Sequence, residues 1–164
     1  MHVYCLFCQT QRARRIAELL RAWEIGRAFT PRVICRHRVQ GKTVERAYDL
    51  LPGYVFLFAE QPVTDFSELR KIDGVGRQVG RREDEYELAG PDRAFAMGLL
   101  EVDGTVNPMK LVHEGSSVRL MDPLFEHNQG RITNIEDKKQ RARVEFTFDG
   151  ERWITWVAVD ELRL

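Results

Sequence analysis

The chain holds 164 residues, with 25 basic against 25 acidic side chains, 43% apolar content, 30% charged content and three cysteines. That length accommodates one compact domain or two small ones, and the balanced charge excludes a disordered acidic or basic tail and a uniformly cationic coat for nucleic acid. No run of about 18 apolar residues occurs, which excludes a transmembrane helix. The opening MHVYCLFCQTQRARR places apolar residues ahead of arginines, the reverse of a secretory leader, and three cysteines make no paired framework, so a reducing, cytoplasmic location is expected.

The neutral total conceals an uneven distribution. Met1 to Arg46 carries ten Lys/Arg against three Asp/Glu, and Ala47 to Lys110 seven against twelve. The remainder is near balance, but four of its cations fall within KKQRAR, Lys138 to Arg143.

VYCLF, Val3 to Phe7, reads as a strand. Thr10 is placed to cap a helix starting at Gln11, in which Ala13, Ile16, Ala17, Leu20 and Trp23 recur at helical spacing and dock on a sheet. Arg32 to Val39 and Thr43 to Tyr48 form a hairpin about QGK, and YVFLF after the Pro-Gly turn is a nearly continuous apolar strand. A short helix over Thr64 to Lys71, a strand over Val75 to Val79 and a helix from Gly90 and Pro91 to Leu100 follow. This order predicts a split βαβ layout with helices over one face of an antiparallel sheet. Val102 to Val112 lacks helical periodicity and reads as a linker or short hairpin. Beyond Glu114, five short strand candidates include RARVEFTF, whose Ala142, Val144, Phe146 and Phe148 alternate with polar residues. Five such strands in about 50 residues fit a small barrel, because closure protects sheet edges. The fold class is therefore α+β, followed by a small β-barrel.

These segments coincide with a known family. Met1 to about Leu100 resembles the N-terminal domain of NusG-like transcription elongation factors, on VYCLFCQTQRARRIAELL, LLPGYVFLF and LRKIDGVGRQVG. From Val112, VHEGSSVRLMDPLFEHNQGRITNIEDKKQRARVEF resembles the KOW module that follows it. The resemblance implies a ferredoxin-like NusG N-terminal domain over residues 1–100, a linker or short hairpin over 101–111 and an SH3-like KOW domain over 112–164. It implies that the first domain binds RNA polymerase at the clamp helices of the largest catalytic subunit, and that the second recruits nascent RNA, a ribosomal protein or a termination factor. Phe7, Leu51, Tyr54 and Phe56 match the family's apolar polymerase-binding surface. Exposed aromatics within a polar rim suit such a surface, since they bury large area at little entropic cost.

One turn departs from the general pattern: MDPLFEHNQG has Asp122 where a glycine-proline-phenylalanine turn begins with glycine. With ITNIEDKKQRARVEF it resembles the LoaP group of processive antiterminators, whose KOW module contacts structured nascent RNA. Lys138, Lys139, Arg141 and Arg143, beside Arg131, are the RNA-binding candidates. A basic loop binds phosphates with counterion release, and arginines stack on bases; an ordinary solvated hairpin has the same composition. Trp153, Trp156 and Tyr54 are stacking candidates or barrel core. Arg12, Arg14, Arg15, Arg27, Arg32, Arg36 and Arg38 make a positive surface only if the fold brings them together.

Cys5, Cys8, His2, Cys35 and His37 do not make a zinc site: Cys5 and Cys8 lie three apart on a strand and point to opposite faces, and no second CxxC accompanies them. DGVG lacks the spacing and lysine of a phosphate loop, and Asp73, Glu83, Asp84, Glu85 and Glu87 read as surface charge. No catalytic residue, metal or cofactor is expected. The expectation is a specialised elongation factor that binds RNA polymerase and promotes processive antitermination with nascent RNA contact. A general factor acting on pausing and termination, and an RNA-binding module without polymerase contact, are the alternatives.

Overall fold

The computed structural model describes residues 1–80 and 86–163, so Glu83, Asp84 and Glu85 lie outside the described residues. The chain opens with β1 (His2–Cys8), α1 (Thr10–Ala22), β2 (Arg27–Phe29), β3 (Arg32–Val39), β4 (Lys42–Asp49) and β5 (Tyr54–Ala59). It continues through α2 (Phe66–Arg70), β6 (Val75–Gln78), α3 (Gly90–Glu101) and β7 (Thr105–Val106). Five strands complete it: β8 (Met109–Glu114), β9 (Ser117–Leu120), β10 (Arg131–Glu136), β11 (Arg141–Phe148) and β12 (Glu151–Arg163). Short 3-10 turns at Pro123–Asn128 and Asp137–Lys139 separate the later ones. Among the described residues no helix is long and apolar enough to cross a membrane.

Strand β5 organises the first sheet, whose order is β2-β5-β1-β6. All six of its residues are buried, so both faces need a cover. On one face, Val55, Leu57 and Ala59 join Tyr4, Leu6 and Cys8 of β1 against Ala13, Ile16, Ala17 and Leu20 of α1 and Phe66 and Leu69 of α2. On the other, Tyr54, Phe56 and Phe58 join Val3 and Cys5 against Phe95, Ala96 and Leu99 of α3. The helices therefore do not share one face as the strand and helix order predicts. A strand apolar on both sides places α3 opposite α1 and α2.

Two local expectations also change. Thr10 does not cap α1: it is the first helical residue, the N-cap is Gln9, and no side chain caps the end. The Gln9 N–H instead donates to the Gly74 carbonyl at 2.8 Å, tying the helix start to the loop before β6. Residues 101–111 hold β7, which pairs parallel with β3, and the opening of β8, which pairs parallel with β12. Their backbone groups are satisfied by partners distant in sequence, which local periodicity does not reveal.

β3 and β4 form the expected hairpin about Gln40 and Gly41, both left-handed, and with β7 make a three-stranded sheet of order β4-β3-β7. The C-terminal strands form a five-stranded sheet of order β10-β11-β12-β8-β9, a half-barrel rather than a closed one. A groove of about 410 Å³, lined by Val118, Leu120, Ile132 and Val144, separates its edge strands. The inner face, with Ala142, Val144, Phe146, Phe148, Val157 and Val159, belongs to the same hydrophobic core as α3 and the aromatic face of β5.

Candidate functional site

β1 and β5 pair antiparallel with Phe7 opposite Tyr54 and Cys5 opposite Phe56, and directly opposed residues share a face. The strand alternation thus gathers Phe7, Tyr54 and Phe56 into one aromatic patch, with the Phe7 and Tyr54 rings 5.0 Å apart edge to face. Gly53 sets its edge. The residue is left-handed (φ +88°), its carbonyl accepts from the Cys8 N–H at 2.7 Å, and a Cβ there would stand 2.7 Å from the Cys8 carbonyl oxygen. Only glycine fits the Pro-Gly-Tyr turn against β1.

The patch is not the exposed surface expected of it. Tyr54 is 1% and Phe56 0% exposed, Leu51 is buried beside them, and only Phe7 reaches solvent, at 37%. The β11–β12 hairpin covers it. Phe148 stands 5.4 Å from both Tyr54 and Phe56, and Trp153 lies 5.7 Å from Tyr54 in a T-shaped contact. The Trp153 indole N–H donates to the Phe148 carbonyl at 3.2 Å, which fixes its ring. Exposed aromatic area is costly in water, and a strand pair from the same chain removes that cost.

A polar latch accompanies the aromatic cover. The tip of the hairpin is Asp149-Gly150, both left-handed as a tight two-residue turn requires. The Asp149 carboxylate accepts from the Tyr54 hydroxyl at 3.0 Å and from the Arg77 guanidinium, while its own N–H donates to Asp92 at 3.2 Å. Burial and the Asp149 charge push the Tyr54 phenol well above its ordinary range, so it stays a donor. Its bond to Asp149 raises Arg77, whose guanidinium also lies 5.3 Å from the Phe7 ring. Asp92, Asn128, Thr147 and Asp149 line a cavity of about 400 Å³ beside this latch. Farther along, Phe95 of α3 meets Phe125, Phe146 and Phe148 at 5.4–6.0 Å, and α3 closes on Leu124 at Gly98. Sequence brings Trp153 and Tyr54 together only as stacking candidates and does not tie Asp149, Arg77 or Phe148 to them; the one local signal is the turn in FDGE, Phe148 to Glu151.

The basic loop divides into paired and unpaired cations. Arg141 binds Glu136 at 3.2 Å and lies 4.5 Å from the Trp156 ring, and Lys139 reaches the same carboxylate at 3.3 Å. Glu136 is held below the usual carboxylate range, first by Arg141 and then by Lys139. Glu145 is lowered by Arg131 and Arg152, both at 3.0 Å, and stands 4.0 Å from Arg143. Lys138 has no acidic partner among the described residues and is exposed. The five candidate cations thus occupy one face and one turn, and two glutamates balance most of them.

A family model described as the transcription termination factor nusG matches residues 1–92 of the chain, more than half its length. The chain belongs to the NusG family. A solved structure titled "Domain interaction in Thermotoga maritima NusG" matches over 96% of this chain and 93% of that one, at 19% identity and a TM-score of 0.54, a likeness of fold that takes in nearly the whole chain. No curated protein matches. Members of the NusG family are transcription factors that act in elongation and termination and bind RNA polymerase; they are not enzymes.

The remaining candidates of this NusG-family chain have structural explanations. Cys5 and Cys8 enter the cores on opposite faces of β1, as their spacing predicts. Burial pushes the Cys5 thiol well up and the Cys8 thiol up to about 12, so neither is a reactive thiolate. Among the described residues no three His, Cys, Asp or Glu side chains cluster to hold a metal. The N-terminal arginines are divided among separate acidic partners: Arg12 of α1 pairs with Asp73, Arg27 of β2 with Asp103, and Arg32 and Arg36 of β3 with Asp49 and Glu45 of β4. Glu87 is engaged by His2 and Tyr4.

Proposed function

We propose that this chain is a specialised elongation factor of the cytoplasmic transcription complex, holding RNA polymerase through Phe7, Leu51, Tyr54 and Phe56 and promoting processive antitermination. In this reading residues 1–100 are the ferredoxin-like polymerase-binding domain, joined through residues 101–111 to a KOW module of SH3-like type over residues 112–164. The clamp helices of the largest subunit are the partner of the aromatic face. The KOW module contacts nascent RNA through Arg131, Lys138, Lys139, Arg141 and Arg143.

The observation that carries this reading is the aromatic face with its cover. Tyr54 and Phe56 make a patch whose apolar demand is met within the chain by Phe148 and Trp153, so a polymerase contact requires the β11–β12 hairpin to leave. Polymerase binding is then selection of an open state, and its apparent affinity scales with the open fraction. Asp149→Ala removes the acceptor shared by Tyr54 and Arg77. A loss of about 1.4 kcal/mol from the closed state raises a small open fraction about tenfold. The test is co-purification with core polymerase, titrated for the native chain and for Asp149→Ala. Tighter capture of the variant by about threefold or more is expected; absence of capture in both, with free and with transcribing polymerase, rejects the reading. Transcription through a terminator with several RNA leaders distinguishes antitermination from a general effect on pausing.

A further inference from the structure

The β3–β4 hairpin and the 3-10 turn at Asp137–Lys139 belong to different sheets, yet they meet. Arg36 staples the hairpin to β12, whose Val159 N–H donates to the Gln140 carbonyl at the end of that turn: its guanidinium, in a residue only 9% exposed, donates to the Val159 carbonyl at 2.7 Å and pairs with Asp160 at 2.9 Å and Glu45 at 2.9 Å. On the opposite face of the hairpin, register places Val33 against Tyr48, Cys35 against Arg46 and His37 against Val44, so His37, Arg46 and Tyr48 share one side. That side faces the basic turn. β3 is in contact with the turn, Arg141 lies beside Cys35, and the charges of Arg141, Arg46 and Lys139 all bear on His37.

Cations are in excess at this seam. Glu45 is taken by Arg36 on the other face, and Glu136 is shared by Lys139 and Arg141; Asp137 is the other acid of the turn. Arg46 and Lys138, one on each side, have no acidic partner among the described residues, and both are exposed. The buried Nε2 of His37 has no hydrogen-bond partner either. Aromatic faces interleave with the charges: Tyr48, 42% exposed, tilts against His37 at 5.3 Å, and Trp156 lies beneath Arg141. Cations alone would suit any polyanion, but cations alternating with aromatic rings suit a strand whose phosphates and unpaired bases are offered together.

We propose that the seam between the β3–β4 hairpin and the 137–139 turn is one composite site for unpaired RNA, with Arg46 and Lys138 on the phosphates, Lys139 and Arg141 supporting them, and Tyr48 stacking on a base. The proposal rests on the reading that this chain contacts RNA and extends that contact onto the N-terminal hairpin. The site is assembled only while the C-terminal sheet is docked. RNA and the closed state therefore stabilise each other, and RNA bound here opposes exposure of Tyr54 and Phe56.

The test uses the full chain and a fluorescein-labelled twelve-nucleotide oligouridine, with binding followed by anisotropy across a salt series. Arg46→Gln is expected to weaken binding about three- to tenfold and to reduce the slope of log affinity against log salt by about 0.7, the value for one single-strand phosphate contact. Tyr48→Ala is expected to weaken binding about tenfold while leaving that slope unchanged. Arg46→Lys retains the slope, and Arg14→Gln, an exposed arginine on α1, changes nothing. Both seam residues are exposed, and an unchanged thermal midpoint confirms that the variants are folded. If Lys138→Gln with Lys139→Gln weakens binding while Arg46→Gln and Tyr48→Ala do not, the composite site is overturned and the RNA reading survives. No oligouridine binding by the native chain overturns both. Equal affinity for a polyglutamate peptide of the same charge overturns RNA as the occupant.

Discussion

The aromatic face on β1 and β5 and the basic seam beside β3 and β4 are both candidate contact surfaces, and they differ in how their physical demands are met. The aromatic face is complete: every large ring except Phe7 is buried, and the one polar atom exposed to the interior, the Tyr54 hydroxyl, has Asp149. The seam is incomplete: it keeps unpaired cations, an exposed tyrosine and a histidine nitrogen without a partner. Apolar demand is non-directional and is satisfied by any well-fitting cover, including one from the same chain. Charge excess at a solvated surface costs little to keep, so it persists until an anion arrives.

Removing the centre of the cover breaks this comparison most severely. Phe148 is fully buried and touches Tyr54, Phe56 and Phe95, so Phe148→Ala is expected to cost about 3–5 kcal/mol in denaturant unfolding. A loss below about 1 kcal/mol would mean that the two sheets do not share a core. Gly53→Ala comes next, at about 1–3 kcal/mol, because the added Cβ meets the Cys8 carbonyl in a left-handed conformation. Tyr54→Phe keeps the ring and removes one hydrogen bond; about 1 kcal/mol is expected, with polymerase capture raised in the same direction as for Asp149→Ala. A loss of capture instead would show that the hydroxyl serves polymerase rather than the latch.

The smallest effect belongs to the seam. Burial, with the charges of Arg141, Arg46 and Lys139, lowers His37 below its ordinary 6.5, so the folded chain favours the neutral ring. Its contribution is full above pH 6.5 and is lost as pH falls from there through the lowered folded value. The unfolding midpoint is expected to drop slightly between pH 7 and pH 5 in the native chain, and less in His37→Gln. An identical drop in both would show that His37 is not its source; carboxylates such as Glu136 and Glu145, held below their ordinary range, lose their contribution only below about pH 5.

Much of the fold was legible because it is written in short-range pattern. The 3- and 4-residue spacing from Ala13 to Leu20 set the docked face of α1, alternation in RARVEFTF set the inner face of β11, and QGK marked the β3–β4 turn. The aromatic residues of the candidate face were legible too, but their exposure was not. Nothing local to LLPGYVFLF tells that Phe148, more than 90 residues on, lies against it. The placement of α3 and the parallel pairings of β7 and β8 were hidden for the same reason. The basic loop was legible as charge, whereas its neutralisation depends on cross-strand neighbours such as Glu145 and on Glu136 across the turn.

Sequence by itself determined an α+β chain, the residues of the aromatic patch, the Pro-Gly turn ahead of its apolar strand, and membership of a family of transcription factors. Those properties follow from composition, periodicity and motif, which need no knowledge of distant contacts. The tertiary structure alone decided that the patch is covered, that Asp149 bridges Tyr54 and Arg77, and that a hairpin from one sheet meets a basic turn from another. Each of these depends on which surfaces meet after folding, and the burial of apolar area drives that choice without leaving a local signature.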